Sequence, residues 1–481
     1  MVERAFAVAV MTLSSSAQDL RTLSAQARQY KAAGQLDQAL TLYRRAAEAD
    51  PGNAVAAHNL AALLGDMTRF SEARHWAEQA VRLNREAPES LLVLARAQQG
   101  QGDFAKAEES FEQALAARPS FIEAHHDLAQ LRWMLSGDAR QASTAIDREM
   151  ARDPENAALP ELKAHILRSA DCLEEAATAI ERAATLAPEA PKLRIVQSEI
   201  AARQGKADAQ LAFASQALQL DRSSHTAAKA VLEALLHCGR AQEAEDLAIR
   251  ILQAHPGDQG IVALLTTAWR MRGDPRHETF CTQLGLVSSG MIETPSGWDD
   301  LPSYLDDLKA ALLRRHPWKS HPLDQSLRHG SQTQEDLTQS SDPAIHALFV
   351  AIRPVIERHI AALGAGKDPV RMRSNGRFRL CPAWSVALSP GGFHVDHVHP
   401  QGWMSSAFYV DLPPAVERGR EGWLAFGRPG IPTRPALEPF HYIRPQPGML
   451  AIFPSYLWHG TEVFSGDAKR LTVAFDILPG I

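Results

Sequence analysis

Four cysteines in 481 residues, Cys172, Cys238, Cys281 and Cys381, are too few and too far apart for a disulfide framework or a CxxC metal or redox motif. They read as reduced thiols filling a core in a cytoplasmic protein. No apolar run reaches the ~18–20 residues a bilayer-spanning helix needs. The opening apolar stretch from Ala5 to Met11 is preceded only by Arg4, itself offset by Glu3. That is weak for a secretory leader, and Met11 is an equally good first residue. The formal net charge of −6 supplies no clustered basic surface for nucleic acid. What remains is 45% hydrophobic and 22% charged, ample material for packed cores. The length fits roughly three domain-sized units, or one long repeat array and one compact domain.

Internal periodicity favours the second arrangement. Ala39, Ala73 and Ala107 stand 34 residues apart, and after a one-residue slip Ala142 and Ala176 keep the step. Leu36, Phe70 and Phe104 follow it, as do Ala46, Ala80 and Ala114, and the prolines Pro154, Pro188 and, two periods on, Pro256. Such a period with helical spacing inside it signals antiparallel helix pairs stacked in an array. Small residues let the two helices approach, an aromatic such as Tyr43 or Phe111 fills the adjoining gap, and the proline ends the second helix. The pattern from Gly34 through Leu36, Ala39, Tyr43 and Ala46 to Pro51, repeated from Gly102 to Pro119, resembles the tetratricopeptide (TPR) repeat. About seven units would fill residues 20–273. Such an array implies a groove for a protein or peptide partner. Asn59, His125 and His126 are either groove residues or parts of solvated helix faces.

The repeat dies out at Arg272-Gly273-Asp274-Pro275. Residues 274–377 read as a connector, much of it loop, with one helix through Leu305, Leu308 and Leu312. A second apolar helix starts at Ala344, is kinked by Pro354 and stops at Gly364. Residues 378–481 change character. Predicted strands at 378–388, 393–399, 404–412, 422–426, 449–453 and 470–477 are separated by Gly/Pro turns, the pattern of a jelly roll or barrel. The expected fold is therefore an α-solenoid followed by a double-stranded β-helix with helices of the connector packed on it.

Chemistry concentrates in His394-Val395-Asp396-His397-Val398-His399-Pro400. A regular strand sends i and i+2 to one face, so His397 and His399 project together and His394 and Asp396 project together on the other side. Only one pair can face the barrel interior. His459 is the natural third metal ligand. Eleven residues on, Arg470-x-Thr472 places a guanidinium and a hydroxyl on one face, where the guanidinium can grip a carboxylate. Leu471, Val473, Phe475 and Ile477 form the opposite, apolar face. Trp403 and Tyr409 are strand aromatics, readable as core or as contacts to a bound molecule.

These motifs, with Gly392-Phe393, the run from Gly402 to Tyr409, Pro447-Gly448-Met449-Leu450 and Phe453-Pro454-Ser455, resemble the Fe(II)/2-oxoglutarate-dependent oxygenases over about 378–479, in a branch linked to TPR arrays. The resemblance implies iron held by an H-x-D pair and a later histidine, matched by His459. It also implies 2-oxoglutarate held through Arg470 and Thr472, with Tyr409 beside them. His394-Val395-Asp396 fits the literal motif and gives a two-histidine, one-carboxylate set. His397-Val398-His399-Pro400 fits the spacing from Gly392 and the H-x-H-P motif of the branch, which would leave Asp396 and His394 around the ligands. The implied activity is a dioxygenase that hydroxylates a protein or peptide recruited by the repeats, a class of chemistry the cofactor supplies. The residues leave two alternatives: a cupin-like metalloenzyme that uses no 2-oxoglutarate, and a non-catalytic TPR adaptor with a degenerate barrel.

Overall fold

A computed structural model of the chain describes residues 22–480; the apolar opening stretch and Met11 lie outside the described residues. Contacts divide the described residues into two compact units, residues 22–132 with 142–154, and residues 133–141 with 155–480.

The first unit is helical. Helices Leu36–Ala49, Ala54–Asp66, Phe70–Leu83, Pro88–Gly100 and Phe104–Ala117 follow one another with short turns. Ala39, Ala73 and Ala107 are wholly buried, as the close approach of paired helices requires. Gly100 shows why a bulkier residue fails there: an added Cβ would run into the Phe70 ring. Each first helix of a pair ends on a residue with positive φ, and these recur at the repeat period: Gly34, Thr68, Gly102, Gly137, Asp171, Gly205, Gly239 and Gly273. Glycine enters that left-handed region without a Cβ penalty. The array therefore shows in backbone geometry as well as in sequence, and it runs to the last repeat helix, Gln259–Arg272, in the second unit.

The second unit also contains a curled antiparallel sheet. Its strands are β1 (Ser288–Met291), β2 (Leu327–Gln332), β3 (Phe378–His397), β4 (Met404–Asp411), β5 (Leu424–Phe426), β6 (His441–Ile443), β7 (Met449–Pro454), β8 (His459–Thr461) and β9 (Arg470–Pro479). Their order is β1-β7-β4-β9-β3-β8-β5-β6, with β2 also on β3. An α-solenoid followed by a jelly-roll-like sheet domain is what the sequence led us to expect.

Three details differ from the sequence reading. The connector supplies β1 and β2, which the Pro, Ser and His content of that segment hid. Short β6 and β8 were also not foreseen. Pro390-Gly391-Gly392 does not separate two strands: β3 passes through it as one strand, Gly391 taking φ +78°. The early part of β3 pairs with β9 from Phe378↔Pro479 to Leu388↔Arg470, and its far end pairs with β8.

Helices Leu301–Leu313, Pro343–Ala351 and Arg353–Leu363 cover the sheet's apolar face. Leu308, Leu312, Ile345, Leu348, Ile352 and Ile356 share one core with Leu471, Val473, Phe475 and Ile477 of β9. The break at Ile352 has a local cause. Pro354 stands in the first turn of the second helix, where its missing N–H costs nothing. Within this unit the last repeat helix is tied to the sheet domain. Trp458 Nε1 donates to Thr267 Oγ1 at 2.9 Å, and Arg270 donates to the carbonyls of Gly427 and Glu438. Among the described residues no helix is long and apolar enough to cross a membrane.

Candidate metal centre

His397 on β3 lies directly opposite His459 on β8 in register, which brings two imidazoles from distant segments side by side, ring centroids 4.3 Å apart. His399, two residues past His397, adds a third ring 5.2 Å from each. Ligand atoms of His397, His399 and His459 all lie within 4.8 Å of one another, the one such group of histidine, cysteine or carboxylate side chains among the described residues.

The tautomers follow from the partners. His397 Nδ1 donates to Val395 O and His459 Nδ1 to Leu457 O, each at 2.9 Å; His399 Nδ1 donates to Asp476 Oδ1 at 2.7 Å. With every Nδ1 hydrogen engaged, each ring keeps its Nε2 lone pair for the shared space, the arrangement typical of metal-ligating histidines. Burial keeps His397 and His459 neutral. His397 is lowered to about 3, first by desolvation and then by His399. Desolvation, followed by the neighbouring imidazoles, holds His459 well below its ordinary range.

The alternative pair does not behave as a regular strand would have it. Four residues of β3, His394 to His397, face three of β8, Thr461 to His459, a bulge that turns His394 to the same side as His397. His394 Nδ1 lies 3.0 Å from Ser326 Oγ, and that hydroxyl is 3.4 Å from His397 Nε2. Asp396 is turned elsewhere, correcting the expectation that it shares a face with His394. Its Oδ2 accepts from Arg428 Nε at 2.5 Å, while burial raises its carboxyl to about 6 against the pull of that guanidinium. Asp396 Oδ1 is buried without a partner and packs on Gly460, where an added Cβ would come within 2.7 Å of it.

Arg470 lines the same cavity, which measures about 750 Å³. Its side chain is 2% exposed, Nε donates to Gly422 O at 3.2 Å, and among the described residues no carboxylate pairs with it. The guanidinium carbon sits 5.1 Å over the ring of Tyr409, whose buried hydroxyl proton has no acceptor and whose pKa is pushed up to about 12 by burial against the pull of Arg470. Thr472 stands beside Arg470 on the cavity face of β9, its Oγ1 3.5 Å from Val386 O. Trp403 is wholly buried, its indole donating to Val370 O, and so belongs to the core.

Asp476 and Ser326 escaped the sequence reading, and Ser405 and Ser455 entered it only as members of motifs, with no role given. For Asp476 the signal was present: it lies on the same alternating face of β9 as Arg470 and Thr472. Ser405 Oγ donates to Asp476 Oδ1 at 2.7 Å and lies 2.9 Å from Ser455 Oγ, so His399 is oriented through a short polar network. Ser326 sits in the connector, where nothing in the sequence marks it.

A jelly-roll-like sheet with clustered imidazoles beside a buried cation, following helical repeats, defines a β-domain whose histidine cluster could hold a metal ion, joined to a solenoid. Comparison makes this more specific. Residues 382–476 match the family described as "Putative 2OG-Fe(II) oxygenase", and residues 58–120 and 98–166 match tetratricopeptide-repeat families. The chain therefore carries TPR repeats and, at its C-terminal end, a domain of that oxygenase family. Similar solved structures include the first TPR of Spaghetti (RPAP3) bound to HSP90 peptide, at 25% identity over 24% of this chain and 90% of that one, TM-score 0.23. A thermophilic TPR protein of Thermus thermophilus is 21% identical over 38% of this chain and 100% of its own, TM-score 0.30. A TPR protein from Parabacteroides merdae is 15% identical over 52% and 99%, TM-score 0.37. No curated protein gives a significant match.

Proposed function

We propose that the C-terminal domain is a dioxygenase dependent on Fe(II) and 2-oxoglutarate, and that it hydroxylates a protein or peptide recruited by the TPR helices. The reading rests on one conjunction: three inward Nε2 atoms and a buried, carboxylate-free guanidinium on the walls of a single cavity. Neutral imidazoles suit a divalent first-row metal. A buried cation without a counter-charge is costly unless an anion joins it. A carboxylate beside Arg470 would also give the orphaned Tyr409 hydroxyl an acceptor, so the residues present fit the organic acid as well as the metal.

His397, His399 and His459 would hold the iron, and Arg470, Tyr409 and Thr472 the far carboxylate of 2-oxoglutarate. Iron and keto acid together supply oxidation of an unactivated C–H bond by O₂, the keto acid leaving as succinate and CO₂. The protein supplies placement. Burial keeps His397 and His459 deprotonated, so protons do not compete for those two rings near neutral pH. Val395 O, Leu457 O and Asp476 fix the ring planes, and Asp396 with Arg428 braces the bulge between His394 and His397. The set departs from the two-histidine, one-carboxylate pattern. An all-imidazole cluster is also what a cupin-like metalloenzyme would present, and Arg470 separates the two readings. The unpaired thiols of all four cysteines suit a reducing, cytoplasmic setting.

The test is succinate formation by anaerobically iron-loaded protein on admission of O₂, with 2-oxoglutarate affinity measured alongside. Removing one partner of a buried charge pair costs about 2–5 kcal/mol, so Arg470→Gln should weaken 2-oxoglutarate binding by about 30-fold or more. Wild-type affinity in Arg470→Gln would favour the cupin-like reading. Failure of the protein to bind iron at all would leave only a TPR adaptor.

A further inference from the structure

A second cavity of about 790 Å³ adjoins the first within the same compact unit. The two share Asp324, Gln325, Arg328 and Val395, so these residues border both cavities. One wall repeats. Ser136 and Gly137, then Ala170 and Asp171, then Arg203 mark the ends of helices Ile122–Ser136, Ala158–Ser169 and Pro191–Arg203, the first helices of three successive repeats. At roughly 8–10 Å per helix contact, three such ends span on the order of 20 Å. An extended chain covers that length with about six residues.

The charge of this cavity is lopsided. Arg168, Arg203, Arg328 and Lys319 face Asp171 and Asp324. Both carboxylates are already engaged: Asp171 pairs with Arg203, and Asp324 accepts from Arg168 and from the Ser169 hydroxyl. Arg203 also donates to the carbonyl of Arg168, covering a helix end that would otherwise repel an anion. Arg328 and Lys319 have no carboxylate partner among the described residues. Arg328 Nη1 donates only to the backbone carbonyls of Gln325 and Leu327, at 2.7 and 2.8 Å. Its charge is disfavoured by burial and by nearby Arg203, partly offset by the pull of Asp171 and Asp324, so an arriving anion would be drawn to it.

We propose that this second cavity is a docking site for an extended acidic peptide, with Asp or Glu side chains against Arg328 and Lys319 and the adjoining residue reaching past Arg328 into the histidine-lined cavity. The last element rests on the oxygenase reading; the docking does not. The periodic wall favours a linear chain over a compact small molecule, and the unpaired cations set its sign.

The test uses the full chain, free of iron and 2-oxoglutarate, with an equimolar pool of random dodecapeptides whose retained fraction is sequenced. Asp and Glu should be enriched at least about threefold over the input, an advantage weakened by salt. Arg328→Gln should return the pool towards input composition. Because that variant also loses two hydrogen bonds to backbone carbonyls, Lys319→Gln, at an exposed position, provides a second reading and should reduce the enrichment as well. Absence of acidic enrichment with the wild type overturns the proposal, as does enrichment that survives both substitutions. Preferential retention of phosphoserine dodecapeptides over the same peptides carrying Glu at those positions also overturns it, in favour of a phosphopeptide. Since retention is read without turnover, an inactive but acid-selective protein would sink the oxygenase reading alone. Turnover on neutral peptides without acidic selection would sink only the docking.

Discussion

Asp476 offers the sharpest test of how the histidine cluster is held. Its Oδ1 accepts from both His399 Nδ1 and Ser405 Oγ at 2.7 Å, so Asp476→Ala leaves the imidazole donor without an acceptor and frees the ring to turn. Outer partners of ligating histidines are worth about 10–100-fold in metal affinity, or about 1.4–2.7 kcal/mol. The stranded donor adds about 1–3 kcal/mol of destabilisation. Asp476→Asn differs in an informative way. Its amide oxygen can occupy the place of Oδ1 and accept both hydrogen bonds, losing only the charge, so its affinity should fall by no more than about 10-fold, the low end of that range. Anaerobic calorimetric titration with Fe(II), beside thermal unfolding of each variant, separates ring orientation from loss of fold. Wild-type iron affinity in a folded Asp476→Ala protein would refute the orienting role. Equal losses in Ala and Asn would show that charge, not geometry, is what matters.

Two further outcomes follow from buried groups elsewhere in the second unit. His321 and His359 are nearly inaccessible and are lowered to about 4, in each case first by burial and then by a neighbouring arginine, Arg328 and Arg371 respectively. Between their ordinary value near 6.5 and about 4 the unfolded chain binds the protons that the folded chain refuses. Stability is therefore full above pH ~6.5 and falls on acidification, by as much as about 3 kcal/mol per ring. Urea unfolding at pH 7 and 5 should show the decline, and His359→Gln should lessen it; an unchanged pH dependence in that variant would remove His359 from the account. Gly460→Ala drives a methyl group to 2.7 Å from Asp396 Oδ1 and 2.9 Å from His394 O. It should cost about 1–3 kcal/mol and weaken iron binding at the adjacent His459. A variant that melts with the wild type would contradict the close packing there.

Much of this arrangement was legible beforehand because it repeats or alternates. The 34-residue step of alanines at 39, 73 and 107 follows from one helix pair packing on the next, and any segment that packs this way must show it. The alternation of Arg470 and Thr472 with Leu471 and Val473 likewise follows from a strand with one polar and one apolar face. What stayed hidden depended on pairing between distant segments. A bulge cannot be read from His394-Val395-Asp396-His397 alone, because the extra residue exists only relative to β8. The strands β1 and β2 owe their conformation to partners on β7 and β3, and Ser288-Ser289-Gly290-Met291 has little strand preference of its own. Ser326 reaches the imidazoles only because β2 lies beside β3.

The divided pairing of β3 also bears on how the protein folds. Along its first stretch β3 pairs with residues about 80–100 positions further on, while its far end carries His397 opposite His459. Pairings so distant in sequence are slow to close, whereas the repeats need only near neighbours. The helices should thus form early, and the three imidazoles should meet only when the slowest long-range zipper of the chain has closed.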